Sequence, residues 1–423
     1  MAAVASTPCL KNGSAVNQIV TPRWVTTDTA IAWKNNIKFV SNLDRSYDDQ
    51  WANKPKGAYI GATVEARLPE RVIVSEGQLL QVQPLLQQTV PITLNHQFQT
   101  AMEFSSFNQT VEIADVQQHH TIPSGRALAN KADTVASAEV YKRIYHTIGT
   151  PGSNITDDVT WTDGVAKLRS VGTPEDLVAV LTPTAQSKLL AANMALFNPG
   201  TLISKNFRSG QFSGAALGVD EWYYDPNLPA HTTGTFTTAT PITTAAGQTG
   251  STLTVSGMGT YALKAGDTFT IVGVNEVNPL SYVDTGNLQE FVLTLDVSGT
   301  TTATLTFSPP IIISGPLQTV TASPANGAAL LFKGATGITS ATMAATVSKQ
   351  SFVFNPKAFA FVMADLTEDL PGAEATRVSD KEARISMRRV AQYTIQTDQI
   401  PRRIDFVCGI APVMEIFSLR AWS

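Results

Sequence analysis

Between His231 and Ser348 the chain almost stops using charge. Only Lys264, Asp267, Glu276, Asp284, Glu290, Asp296 and Lys333 are charged in these 118 positions, against 57 charged residues in the other 305, and 27 of the 118 are threonine. Short β-rich pieces recur every dozen or so residues: Ser251–Val255, Asp267–Val272, Glu290–Leu295 and Thr302–Phe307. Gly, Asn, Pro and Ser separate them, which is the rhythm of a β-sandwich or barrel and not of βαβ units. Mixed helical and strand patterns lie on both sides, so the stretch reads as an all-β domain inserted into an α+β host.

A chain of 423 residues exceeds what one core usually serves. Its 43% hydrophobic and 15% charged content, with a net charge of −4, describes an ordinary soluble protein without the basic excess of a dedicated nucleic-acid binder. The two cysteines, Cys9 and Cys408, stand at opposite ends, which excludes a cysteine zinc site or disulfide framework and points to a reducing compartment. Met1 to Gly13 lacks the pattern of a secretory signal, and no apolar run reaches the length of a membrane span.

Along the host, Asp28 is placed to cap a helix whose apolar stripe Ala30, Trp33, Ile37 and Val40 must dock on something, a neighbouring subunit being one answer. From Thr63 to Phe107 extended segments flank a polar, glutamine-rich middle, Gly77 to Gln88, as in a two-stranded tongue that leaves the body. Pro123-Ser124-Gly125 precedes a long helix expected over Arg126 to Thr147. A helix near Asp163 to Val171, a strand at Leu177–Leu181, a helix near Thr184 to Phe197 and a strand at Val219–Tyr224 follow. After the threonine-rich stretch come buried-type strands at Ser351–Phe354 and Ala358–Val362, an acidic loop with Asp365, Glu368, Asp369 and Glu374, and an alternating strand from Ile385 to Ile395. The end reads as a hairpin, with Pro412 in its turn and Val413 to Trp422 as its last strand.

No catalytic, cofactor or metal constellation stands out. Gly257-Met258-Gly259-Thr260-Tyr261-Ala262 nominally fits a dinucleotide fingerprint, but another strand follows where a helix is required, so it reads as a β-turn. His119-His120 would point apart in extended chain and has no carboxylate at ligand spacing. The sequons Asn108-Gln109-Thr110 and Asn154-Ile155-Thr156 are chance matches in a chain without an export signal. Arg377, Lys381, Arg384, Arg388, Arg389, Arg402 and Arg403 form a basic cluster, suited to ion pairs with the preceding acidic loop, to a solvated face, or to nonspecific phosphate contact.

The order of parts resembles the major capsid proteins of tailed bacteriophages, in the coat-protein family that carries an inserted immunoglobulin- or telokin-like domain. The stretches that carry the resemblance are Leu43-Asp44-Arg45-Ser46-Tyr47, Gly61-Ala62-Thr63-Val64, Ile122 to Ala129, Gly214 to Pro229, Phe354 to Phe359 and Ile404 to Gly409. Within the insertion they are Lys264 to Gly273 and Leu288 to Thr294. The resemblance implies an amino-terminal arm (1–57), an extended β-loop (58–107), a peripheral domain with the spine helix (108–160) and an axial domain (161–227). The inserted all-β domain (228–348) and the closing strands (349–423) complete it. It further implies a non-enzymatic homo-oligomer of pentamers and hexamers, without cofactor or membrane, closed into a virion shell around double-stranded DNA. Scaffolding and portal proteins would guide assembly in the host cytoplasm. Trp33, Ile37, Val40, Arg67 and Arg71 are the expected subunit-interface residues. A bacterial nanocompartment shell shares the fold and stays open as an alternative; a β-rich adhesin or carbohydrate-binding protein explains the threonines but not the helices.

Overall fold

The computed structural model describes residues 22–48, 61–74, 76–78, 82, 86–105, 121–193, 216–337, 340–380 and 385–422. Two helices meet at the centre of the host. The arm helix, Pro22–Asn36, crosses the spine helix, Ile122–Val140, where Gly125 faces Thr29, Ala32 and Trp33. A Cβ on Gly125 would fall 2.6 Å from the Thr29 carbonyl oxygen, so only glycine lets the backbones approach this closely. Ala129, Ala132 and Ala136 continue the small-residue face of the spine. Pro123 lies in its first turn, where a missing N–H breaks no helical bond.

Two sheets pack around these helices. One places Phe359–Ala364 and Ile385–Ala391 beside the long strand Gln399–Pro412, with Glu374–Asp380 outside Ile385–Ala391 and His96–Ser105 also paired to Gln399–Pro412. The other runs in the order His146–Ile148, Ser418–Trp422, Val347–Phe354, Val178–Leu181, Glu221–Tyr224. Its two outer pairs are parallel and its inner pairs antiparallel. Phe352, Phe354, Phe359, Phe361, Met387 and Phe406 fill the main core with Trp33, Ile37, Phe39 and Val40. The helix Asp158–Ser170, capped by the Asp157 side chain on the Val159 N–H, brings Trp161, Val165 and Leu168 into a second core.

The threonine-rich stretch builds a sheet of its own from Thr235 to Met343, with Gly250–Leu263, Thr268–Val277, Asp284–Leu293 and Val297–Ile311 as its long members. Its core, with Phe236, Leu253, Phe269, Phe291, Leu305 and Phe307, shares no residue with the host cores. Entry and exit lie side by side, because Ala230–Thr232 pairs antiparallel with Val347–Lys349. On the outer face Thr252 opposes Thr306, Thr254 opposes Thr304 and Thr260 opposes Thr300, so β-branched hydroxyls cover the sheet where other proteins place charges.

Several sequence expectations change. Asp28 sits in mid-helix, since the helix begins at Pro22. The spine ends at Val140, and His146–Ile148 becomes a strand, because it pairs in parallel with Leu419–Ala421 of the final strand while Arg420 donates to the Tyr141 carbonyl at the helix end. The fingerprint-like glycines are not a turn but a bulge inside Gly250–Leu263: Gly257 and Gly259 have positive φ, and Gly257 backs directly onto the Thr240 carbonyl. The final strand does not close a hairpin with Gln399–Pro412. A 3-10 turn at Glu415–Phe417 sends it into the other sheet, between Val347–Phe354 and His146–Ile148. Cys9, the two histidines at 119–120 and the sequon at Asn108 lie outside the described residues.

Candidate assembly surfaces and the seam of the all-β unit

The five expected interface residues divide. Val40 is fully buried; Trp33 and Ile37 are 1% and 4% exposed, with Trp33 set edge-on to Phe406 at 6.2 Å. The stripe is therefore covered within its own subunit, and the premise that it lacks an internal partner does not hold. The sheet strands that cover it are remote in sequence, so the stripe alone could not show them. Trp33 and Ile37 do line one wall of a cavity of about 690 Å³, with Leu43, Pro356, Lys357 and Ile385 on the others.

Arg67 and Arg71 belong to the extended hairpin. Thr63–Arg67 pairs with Thr89–Thr93, and Ala66 and Ile92 plant this base on Ala360, Val362 and Ala411. His96–Ser105, expected in the tongue, belongs to the main sheet instead. Beyond the base Val72, Val74, Val82 and Leu86 are exposed, Val74 by 93%. Arg67 is exposed, whereas Arg71 is half-buried and close enough to the body to oppose the rise that burial and Glu276 impose on the Tyr145 phenol. The 71–74 segment forms no strand.

The few charges of the all-β unit are concentrated where it meets the host. Glu290 accepts hydrogen bonds from the Thr147 N–H at 2.6 Å and pairs with Lys167 at 2.7 Å. Asp267 faces His231 at 2.9 Å and accepts the backbone N–H groups of Gly234 and Lys264. Arg420 donates to the Gly266 and Tyr141 carbonyls and lies over the Trp422 ring, joining the final strand, the end of the spine and the unit in one contact. Burial lowers the Lys333 pKa, and the nearby Glu290 only partly opposes that fall. With Glu276, which meets the host's His146, four of the unit's seven charges serve this seam, and Lys264 with Asp296 forms an exposed pair. Glu276 and His146 meet at 3.4 Å, both buried, with no hydrogen bond on either ring nitrogen or either carboxylate oxygen. Burial raises the Glu276 carboxyl to about 7 and drives His146 well below its usual range, so in mildly acidic solution both sit there neutral.

The basic cluster resolves by strand face. Arg388 grips Asp405 with Nε and Nη2 at 3.1 and 2.8 Å and donates to the Thr367 carbonyl; Arg403 shares the same carboxylate. Arg377 reaches Asp365 and the Leu366 carbonyl. Ion pairing with the acidic loop therefore accounts for part of the cluster; Lys381 and Arg384 lie outside the described residues. Among the described residues no group of three or more His, Cys, Asp or Glu side chains is placed to hold a metal, and no helix is long and apolar enough to cross a membrane.

A mixed α+β body with a central spine helix, an extended hairpin and a separate β unit on a polar seam is the build of a structural shell subunit. The sequence matches the P22 coat protein family over residues 85–410, and the chain belongs to that family: it is a major capsid protein, a building block of a phage head shell. No curated protein matches it. Among solved structures it is similar to one from Mycobacterium phage Che8 (11% identity, 91% of this chain and 90% of that chain covered, TM-score 0.45). It is also similar to the bacteriophage PhiM1 mature capsid (10%, 100% and 92%, 0.41) and the capsid of Ralstonia phage GP4 (8%, 100% and 98%, 0.41).

Proposed function

We propose that many copies of this chain close into an icosahedral shell of pentamers and hexamers that encloses double-stranded DNA, with a structural role and no catalysed reaction. A scaffolding protein and a portal guide assembly in the host cytoplasm. Residues 1–57 serve as arm, 58–107 as extended loop, 108–160 and 161–227 as peripheral and axial domains, 228–348 as an inserted domain and 349–423 as closing strands. The observation that carries this reading, beside family membership, is the hairpin: its base is anchored in the body, while the apolar side chains beyond it are covered by nothing in the described subunit. A neighbour that covers them buries apolar surface at about 25 cal/mol per Å². Contacts of that size hold weakly one at a time and firmly when a closed shell makes leaving break several together. Overexpressed protein viewed by electron microscopy should show closed particles, and hydrogen exchange over the exposed residues 76–78 should be fast in free subunits and slow in shells. Wild-type protein that stays monomeric at high concentration, with or without its scaffolding partner, would overturn the reading.

A further inference from the structure

Beyond its base the hairpin alternates. Val72 and Val74 are 60% and 93% exposed, and Glu70 is exposed before them, while Arg71 and Ile73 are half-buried. Extended chain with this period of two turns one side to its own body and presents Glu70, Val72 and Val74 on the other. Glu76, two residues further on, is exposed as well. The cavity beside the arm helix has the complementary lining. Trp33, Ile37, Leu43, Pro356 and Ile385 form its walls, and Lys34 and Lys357 stand exposed at its mouth. Two other charges in its lining are already answered: Asp44 accepts the Ser46 N–H at 2.9 Å and hydroxyl at 3.1 Å, and Arg45 pairs with Asp48 at 3.4 Å. The opening is therefore positive around an apolar interior, and at about 690 Å³ it has room for several side chains.

The sheet stands between a subunit's own hairpin and its cavity. On one face of Phe359–Ala364, Ala360 and Val362 carry the hairpin base through Ala66 and Ile92. On the other, Phe359, Phe361 and Met363 join Trp33, Ile37 and Leu43 in the main core, beside the cavity. The chain's first 21 residues, which lead into the arm helix, contain neither Asp nor Glu to meet the two lysines. We propose that the cavity receives Val72 and Val74 from the hairpin of a second copy, with Glu70 and Glu76 set against Lys34 and Lys357. The two surfaces match in both respects, apolar to apolar and acid to base, and neither matches itself. A projection on one face of the sheet and its receptor on the other make a head-to-tail contact, which passes from copy to copy and closes a ring when the rotation allows. This names the surface that covers the hairpin and rests on the homo-assembly proposed above.

The test uses the full-length protein and two measurements: the urea midpoint of the free subunit, and the concentration needed to form shells from purified protein. Val74→Asp, the pair Lys34→Glu with Lys357→Glu, and the pair Glu70→Lys with Glu76→Lys all change exposed side chains. Each should unfold near the wild-type midpoint yet need about tenfold more protein to assemble. Combining the two charge reversals restores both ion pairs, so the quadruple variant should assemble within about threefold of the wild-type concentration. Zero-length carbodiimide coupling in shells mixed from isotope-labelled and unlabelled protein should join Lys34 or Lys357 to Glu70 or Glu76 in peptides of mixed label. A quadruple variant as impaired as its parents overturns the inference. So do couplings confined to single copies, which would make the occupant the subunit's own chain. If Val74→Asp blocks shells and the lysine reversal does not, the hairpin docks elsewhere: the assembly reading stands and this inference falls. If wild type forms no shells, both fall.

Discussion

Asp133 shows how one residue can hold a corner of the fold. Fully buried on the spine helix, it accepts the backbone N–H groups of Lys38 at 2.8 Å and Val40 at 2.9 Å, which the chain leaves unpaired as it exits the arm helix. Burial outweighs those two donors and raises the carboxyl from 3.8 to about 7, with Asp225 adding to the rise. The folded state therefore keeps a proton that the unfolded chain releases near pH 4, and the contribution is greatest in acid and is lost as pH rises toward 7. Asp133→Asn, which cannot titrate, should remove this slope: between pH 4 and 7 wild type should lose on the order of a few kcal/mol relative to the variant, read from urea unfolding at each pH. Parallel pH profiles would show that the carboxyl stays ionised in the fold.

The arm helix is an element whose role changed once its neighbours were visible. Its stripe suits a subunit interface in pattern, but Trp33 lies between the spine and the sheet that carries Phe406. Trp33→Ala should therefore destabilise the free subunit by about 3–5 kcal/mol in chemical denaturation, the cost of a large aromatic removed from a packed core. A variant that unfolds like wild type but fails to assemble would restore the interface reading. The spine itself was legible from Pro123, Gly125 and its apolar spacing; its end was not, because Tyr141 to Ile148 has helical apolar spacing as well as strand-forming residues. Pairing with Ser418–Trp422, almost three hundred residues away, decides between them.

At the scale of the molecule, the all-β unit and the host have separate cores joined by a polar seam. A fragment spanning 228–348 should fold alone, with a dispersed NMR spectrum, because its core loses no partner and its seam charges regain water. An undispersed spectrum would mean the unit needs the host. The seam also has a definite pH response. Glu276, raised from 4.5 to about 7, favours docking in acid and weakens it as pH rises; His146, pushed below 6.5, favours docking above that value and weakens it as pH falls. Between about 4.5 and 6.5 the docked neutral pair and the separated ion pair hold one proton each, so the two slopes cancel. Below 4.5 the separated pair takes up a second proton. Exchange of the 268–277 amides, corrected for intrinsic rate, should stay level from pH 5 to 6.5 and rise steeply below 4.5 in the full chain; a steep change inside the plateau would contradict the pairing of these two groups.

Local composition was enough to mark the all-β unit, its turn rhythm and the absence of a familiar catalytic motif, because alternation and charge depletion are properties of short stretches. It was also enough for the order of parts that resembles a coat protein. The tertiary structure alone decided which surfaces are free. It buried the Trp33 stripe, moved His96–Ser105 out of the tongue and sent the last strand to a different sheet, since pairing between remote segments leaves no trace in either one. It also separated Arg388 from Arg389: side by side in sequence, they point to opposite faces of a strand, and only the packing on each face determines which charge is answered.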